Sequence, residues 1–278
     1  MHHNNQRSKQ NKNLNKRDNN YSLNTVDICP VGALTSKDFR FRQRVWYLKE
    51  KESVCTGCST GCNVKHYYNE EGVFRVKPVY NEEVNGHWMC DEGRDTYKFV
   101  NKDVRLTKAK FGGANSWENK SSIEALKTVG EKLSKDGGDT ALVLTGQYTN
   151  EEYEDILKYF SGKSKNVYHW VNNESTFDDF DDLLIRGDKN PNTKGLLAAL
   201  KKHNISTSFS DLESKLSAGS IKTLVVAGPE NMAAYPSFDE KVSLFDKAET
   251  TVWLSSVKSD KLDSSASNTW QIPMKSFI

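Results

Sequence analysis

Beyond residue 110 the chain alternates short apolar runs with amphipathic stretches. Ala141-Leu142-Val143-Leu144, Val167-Tyr168-His169-Trp170, Leu224-Val225-Val226-Ala227, Thr251-Val252-Trp253-Leu254 and Thr269-Trp270-Gln271-Ile272 read as strands, the third of them almost continuously apolar. Between them the spacing predicts helices. Ile123, Leu126, Val129 and Leu133 recur as an apolar stripe after a capping Ser116, with Glu131 as a polar interruption. Asn150 is expected to cap a helix over 151–160, and further helices are expected over 195–202, 212–216 and 238–245. Apolar strands joined by amphipathic helices specify a parallel sheet covered on both faces.

The pattern before residue 110 is different. Val45-Trp46-Tyr47-Leu48 leads into a cysteine-rich loop. After it, 63–68 and 73–79 flank the polar turn Asn69-Glu70-Glu71-Gly72 and are expected to form a hairpin. His66 falls in its first strand and reads as a packed or exposed side chain rather than a ligand. Residues 91–100 can form a short helix with acidic residues in its first turn. The stretch 105–108 and the loop 111–115 then read as a joint. Residues 1–20 hold seven Asn and five Lys or Arg with only Met1 and Leu14 as large apolar residues, so 1–26 is expected to be a disordered polar tail. It has neither a secretory signal's apolar stretch nor a transit peptide's amphipathic spacing.

Composition narrows the partners. With 278 residues, the length fits about two domains. Mean hydropathy is −0.72 and no apolar run approaches the roughly 20 residues that span a bilayer, so membrane association has to come through partners. The 39 basic and 37 acidic residues nearly cancel, leaving no overall field for nucleic acid or anionic lipid.

The chemistry lies in five cysteines. Cys55, Cys58, Cys62 and Cys90 are spaced C-x2-C-x3-C-x27-C. A short loop can thus cover three corners of a cuboidal four-iron cluster while a distant segment closes the fourth. Structural zinc also takes four thiolates, but zinc ribbons pair two C-x2-C knuckles, and the split here is three plus one. An odd cysteine count without a secretion signal disfavours a disulfide framework. Gly57 and Gly61 suit a loop that turns sharply, as they would suit any turn. Cys29, in Cys29-Pro30-Val31-Gly32-Ala33-Leu34, has the Cys-Pro form of the last ligand in bacterial ferredoxin motifs. No cysteine precedes it here, so it is either a ligand of a second cluster completed from elsewhere or an ordinary thiol.

Other motifs are silent. No G-x-G-x-x-G or G-x-x-x-x-G-K-[ST] follows a strand. Residues 227–231 read as an ordinary strand-end turn. Asp178, Asp179, Asp181 and Asp182 read as a solvated helix face, and no nucleophile–base set stands out.

Cys29-Pro-Val-Gly-Ala-Leu, the Cys55/Cys58/Cys62 loop and Gly86-His-Trp-Met-Cys-Asp-Glu-Gly-Arg94, in this order, resemble the large iron–sulfur subunit of bacterial NADH:quinone oxidoreductase, respiratory complex I. The C-terminal part of that family is similar to molybdopterin oxidoreductases. The stretches 149–152, 188–195 and 270–273 resemble the family's shortened α/β domain.

The resemblance implies an iron–sulfur domain over 27–110 and a molybdopterin-oxidoreductase-like α/β domain over 111–278. The expected fold class is α/β, a small β-rich [4Fe-4S] domain followed by a Rossmann-like doubly wound domain. Cys55, Cys58, Cys62 and Cys90 match the ligands of one [4Fe-4S] cluster off the main electron route, and Cys29 matches the last ligand of another on that route. The partners implied are other peripheral-arm subunits of complex I, with no nucleic acid. The place implied is the cytoplasmic side of the inner membrane, through the complex. The family's further N-terminal ligands are expected upstream of Cys29, so the sequence reads as a truncated or internal piece.

One alternative is the N-terminal part of a molybdopterin-dependent oxidoreductase of the formate dehydrogenase or nitrate reductase type. In the formate dehydrogenase type a Lys stands two residues after the fourth cysteine; this chain has Glu92, which argues against molybdopterin. The other alternative is a non-enzymatic metal-binding scaffold. No independent catalytic centre is expected.

Overall fold

The structure is a computed structural model that describes residues 19–99, 105–113, 116–171, 176–229, 235, 238–257, 262 and 268–274. The polar tail over 1–18, the tip of the 111–115 loop, and Glu230 and Asn231 of the expected strand-end turn lie outside these residues. The chain divides into two compact units. The first takes the residues up to Cys55, then Thr60–Lys98 and Asp181–Ile185; the second takes Thr56–Ser59, Phe99–Phe180 and the residues from Arg186 onward.

The first unit starts with helix α1, Asn24–Ile28, inside the stretch expected to be tail. In this stretch Asn20, Leu23 and Asn24 bond to the turn around Cys90 through backbone and side chain, a use of polarity that composition cannot display. The lead-in Val45–Tyr47 is a 3-10 turn, and the strand before the cysteine loop is the next segment, β1, Lys49–Val54. β1 pairs antiparallel with β2, Asn63–Asn69, which pairs antiparallel with β3, Gly72–Pro78. The hairpin matches the expectation, with a register shift between Tyr67 and Tyr68. Along β2 and β3, Val64, His66, Val73 and Val76 are buried, and Val64 and Val76 join Cys55, Cys62, Met89 and Leu184 in one small core. Helix α2, Asp91–Arg94, and a 3-10 turn, Thr96–Phe99, follow Cys90 as expected.

In the second unit β4, Ala109–Gly113, and β5, Ser116–Lys120, form an antiparallel hairpin where a loop and a helix cap are expected. Gly112 lies at φ +153, and a Cβ there would fall 2.0 Å from the Ser116 carbonyl oxygen. Turn residues here serve a close strand approach. Helix α3, Ser122–Asp136, begins at Ser121, whose hydroxyl accepts the Glu124 N–H. Its buried stripe is Ala125, Val129 and Leu133, while Ile123 and Leu126 are 82% and 60% exposed.

The remaining elements alternate as the apolar runs predict: β6 (Thr140–Thr145), α4 (Asn150–Ser161), β7 (Asn166–Trp170), α5 (Thr193–Lys202), α6 (Phe209–Ser217), β8 (Thr223–Ala227), α7 (Phe238–Phe245), β9 (Thr250–Ser255) and β10 (Thr269–Pro273). The α4 cap is Thr149, one residue before the expected Asn150, in a reciprocal box with Glu152. The sheet order is β5-β4-β10-β9-β8-β6-β7, with β7, β6, β8, β9 and β10 parallel.

Helices cover both faces. Leu142, Leu144, Val225 and Val252 pack with α3, α4 and α5 through Leu133, Leu157 and Leu196. Val143, Val226 and Trp253 pack with α6 and α7 through Leu212, Leu216, Phe238 and Phe245. Each such side chain contributes about 1.5–3 kcal/mol on leaving water.

The two leucines of α3 separate the observed face from the one expected from spacing. Leu133→Ala should cost about 2–5 kcal/mol, and Leu126→Ala should stay within about 0.5 kcal/mol, read as midpoint shifts in urea unfolding.

Candidate metal centre

Cys55, Cys58, Cys62 and Cys90 are 4–8% exposed. The loop that carries the first three leaves β1 and returns to β2. It is closed by the Cys55 N–H donating to the Cys62 carbonyl at 2.8 Å, and Gly61 turns it at φ +65. Cys58 lies inside the closed loop, within Thr56–Ser59. The neighbouring Ser59 N–H donates to the Asp188 carbonyl at 2.9 Å. In the first unit, the Thr60 hydroxyl donates to the Leu184 carbonyl.

The excursion to Cys90 is held by asparagines. Buried Asn85 accepts the Asn63 N–H at 2.9 Å and donates to the carbonyls of Val79 at 3.1 Å and Trp88 at 3.2 Å. The start of β2 is thereby tied to the approach to Cys90. Asn81 closes the turn between them, accepting the Gly86 N–H at 2.7 Å with Gly86 at φ +50.

Cys90 caps α2. The Gly93 N–H donates to Cys90 Sγ at 3.2 Å. A Cβ on Gly93 would lie 3.0 Å from Cys55 Sγ and 3.3 Å from Cys90 Sγ, so these two sulfurs flank one bare Cα. Glu92, beside it, is exposed.

Residues 20–27 strap this turn down. Asp91 accepts from Ser22 Oγ at 2.6 Å and from the Leu23 N–H at 3.0 Å, and its own N–H donates to the Asn20 carbonyl at 2.6 Å. Asn24 Nδ2 donates to the Met89 carbonyl at 2.8 Å, and its Oδ1 accepts from Arg94 Nη2 at 2.9 Å. Arg94 Nη1 pairs with Asp27 Oδ2 at 2.6 Å, and Lys77 meets the other Asp27 oxygen at 3.1 Å. Sequence reasoning missed Asn24 and Asn85, whose only signal was polarity in segments adjoining cysteines, and it read Asp91 as a first-turn acid rather than as the acceptor for the strap.

Cys29 lies at a cavity of about 260 Å³ with Asp27, Leu34, Phe39, Arg75 and Arg94 in its wall. Gly32 stands at φ +65, and the Leu34 N–H reaches Cys29 Sγ at 3.5 Å. That contact, against a weaker opposing effect of burial and with help from the N–H groups of Val31, Ala33 and Gly32, holds the thiol below its usual pKa. Arg75 is stacked between Phe39 and Tyr67, 4.5 and 4.1 Å from their ring centres.

Elsewhere the expected features are plain. His66 is buried on β2, and burial holds its imidazole below its usual pKa. The acidic run is a turn rather than a helix: the Asp181 carboxylate accepts the N–H groups of Leu183, Leu184 and Ile185 at 3.1, 2.9 and 2.8 Å, and Asp182 has φ +62. Short acidic side chains favour such turns over helix interiors. Among the described residues no three His, Cys, Asp or Glu side chains form a group for a single ion. Thiolates that each bind a different iron of a cluster need no such single point.

Residues 48–102 match the molybdopterin oxidoreductase Fe4S4 domain. A subunit of NADH-quinone oxidoreductase from Streptomyces coelicolor is 36% identical over 140 residues, 50% of this chain and 17% of the relative. Its counterpart in Rickettsia conorii is 30% identical over 198 residues, 68% of this chain and 27% of the relative. The mitochondrial NADH dehydrogenase [ubiquinone] iron-sulfur protein 1 of Solanum tuberosum is 34% identical over 150 residues, 53% of this chain and 20% of the relative. The chain thus spans between about a sixth and a quarter of the length of these relatives. The resemblance to this subunit of NADH-quinone oxidoreductase, carried in the sequence by the cysteine motifs, holds across these matches.

Proposed function

We propose that Cys55, Cys58, Cys62 and Cys90 hold one [4Fe-4S] cluster in an electron-transfer or structural part of NADH:quinone oxidoreductase, without a substrate site of its own. When bound, the cluster supplies a one-electron redox centre. The carrying observation is the Cys90 turn: the Gly93 N–H meets Cys90 Sγ, and the Gly93 Cα leaves room beside Cys55 Sγ. N–H donation to a ligand sulfur and close backbone approach both suit a thiolate-ligated cluster. The family match over 48–102 spans all four cysteines and ends short of most of the α/β unit.

We read the second unit as a Rossmann-like doubly wound sheet; its parallel strands β6 to β10 stand in the order 2-1-3-4-5, a doubly wound order whose crossovers diverge between β6 and β8, which supports that reading. In such sheets that point takes a ligand. At the described strand ends, side chains bond to the backbone and to one another. Thr145 Oγ1 donates to the Ala227 carbonyl at 2.9 Å, Tyr148 OH reaches the Gly228 carbonyl at 3.3 Å, and Tyr235 OH donates to fully buried Asn190 at 2.8 Å. Together with Glu92, these bonds support a reading without molybdopterin. Among the described residues no helix is long and apolar enough to cross a membrane. The proposed setting is the peripheral arm of the complex on the cytoplasmic side of the inner membrane, with membrane attachment through partner subunits.

Cys29 is one thiol on its own loop, and a second cluster would need ligands from elsewhere. In this chain alone it is expected to be a bystander. Anaerobic reconstitution should yield about four irons and four sulfides per chain, without zinc or molybdenum. Cys58→Ser should lose most of the iron and Cys29→Ser none. One zinc per chain overturns the proposal, and bound pterin moves the chain to the molybdenum enzymes.

The Cys29 environment gives a separate expectation. Because its pKa lies below the ordinary thiol value, its thiolate forms at lower pH. Alkylation of Cys29 in the reconstituted protein should therefore reach half its maximal rate below the pH found for an unstructured cysteine peptide, as followed by mass spectrometry.

A further inference from the structure

We propose that Gly93 is a positioning residue for the cluster, setting the place and hydrogen bonding of the Cys55 and Cys90 sulfurs. The inference rests on the cluster reading and deepens it. Three distances carry it. The Gly93 N–H is 3.2 Å from Cys90 Sγ. A side chain as small as alanine's would put Cβ 3.0 Å from Cys55 Sγ and 3.3 Å from Cys90 Sγ. Cβ contacts of 3.0 and 3.3 Å are tighter than nearly all real ones, so the sulfurs have to give by a few tenths of an ångström, and neither sulfur is the end of a long flexible side chain. The third neighbour, Met89 Cε, would lie 3.2 Å away and can swing aside.

Gly93 does not need a left-handed backbone. It lies inside α2 and is absent from the positive-φ glycines, so its smallness is required by the sulfurs rather than by conformation. The turn that carries it is fixed on both sides, by Asp91 to the strap and by Arg94 to Asp27 and Asn24. An added methyl group therefore cannot be absorbed by sliding the backbone away. It has to move Cys55 Sγ or Cys90 Sγ, and a displaced Cys90 Sγ weakens its N–H bond. Hydrogen bonds to ligand sulfurs are among the factors that set a cluster's reduction potential.

The test compares the anaerobically reconstituted full chain with Gly93→Ala and with Gly93→Ala combined with Met89→Leu, which removes the Cε contact at nearly constant volume. Iron per chain, the electron paramagnetic resonance g-values of the reduced cluster and its midpoint potential are read, with circular dichroism of the metal-free proteins. Gly93→Ala should keep the metal-free spectrum. It should weaken cluster binding by on the order of tenfold or hold a cluster with displaced g-values and midpoint potential. The Met89→Leu change should restore neither. Wild-type iron, g-values and potential in Gly93→Ala overturn the inference, as does rescue by Met89→Leu or a metal-free variant that fails to fold. Wild-type protein that takes up no cluster defeats the underlying reading instead.

Discussion

A loop that gathers thiols cannot also run as a regular ladder, and every backbone group it takes out of water has to find a partner. That constraint organises the first unit. The Cys55 N–H finds the Cys62 carbonyl, and the Asn63 N–H finds Asn85. Met89 is satisfied at both its N–H and its carbonyl by Asn24. The apolar core beneath is small, with Val64, Val76, Met89 and Leu184 beside Cys55 and Cys62. Burial of so few side chains leaves much of the shape to directional bonds, which explains why the residues that fix this unit are asparagine and aspartate.

The same constraint decides what could be read from the sequence. The burial of the four spaced cysteines was legible because few other residue types recur at such spacing, and the apolar strands were legible because a sheet covered on both faces tolerates few polar residues. β1, Lys-Glu-Lys-Glu-Ser-Val, was not: its side chains are almost all exposed, and it is a strand only through its pairing with β2. The β4–β5 hairpin was hidden by its glycines. On α3, Ile123 and Leu126 look like core but face outward, and Ala125 carries the stripe. Asn24 and Asn85 look like polar filler until the loops they join are placed.

The ion pair between Asp27 and Arg94 follows the same logic. Arg94 is 6% exposed, so the desolvation of its guanidinium offsets much of the Coulombic gain and the pair adds little net stability. What it does fix is register. Asp27 stands two residues before Cys29 and Arg94 four after Cys90, so the bond ties the loop of one cysteine to the turn of the other. Asn24 on Arg94 and Lys77 on Asp27 keep both partners from turning away.

The second unit supplies its own anchorage for Cys58. Asp188 offers its carbonyl to the Ser59 N–H. Its carboxylate accepts from Asn190 Nδ2 at 2.7 Å and from Thr193 Oγ1 at 3.0 Å. Asn190 in turn accepts from Tyr235, and a Cβ on Gly146, just past β6, would lie 2.7 Å from the Asn190 Cβ. The polar network of Asn190, Thr193 and Tyr235 is therefore the one that backs Asp188, whose carbonyl meets the N–H of the residue next to Cys58.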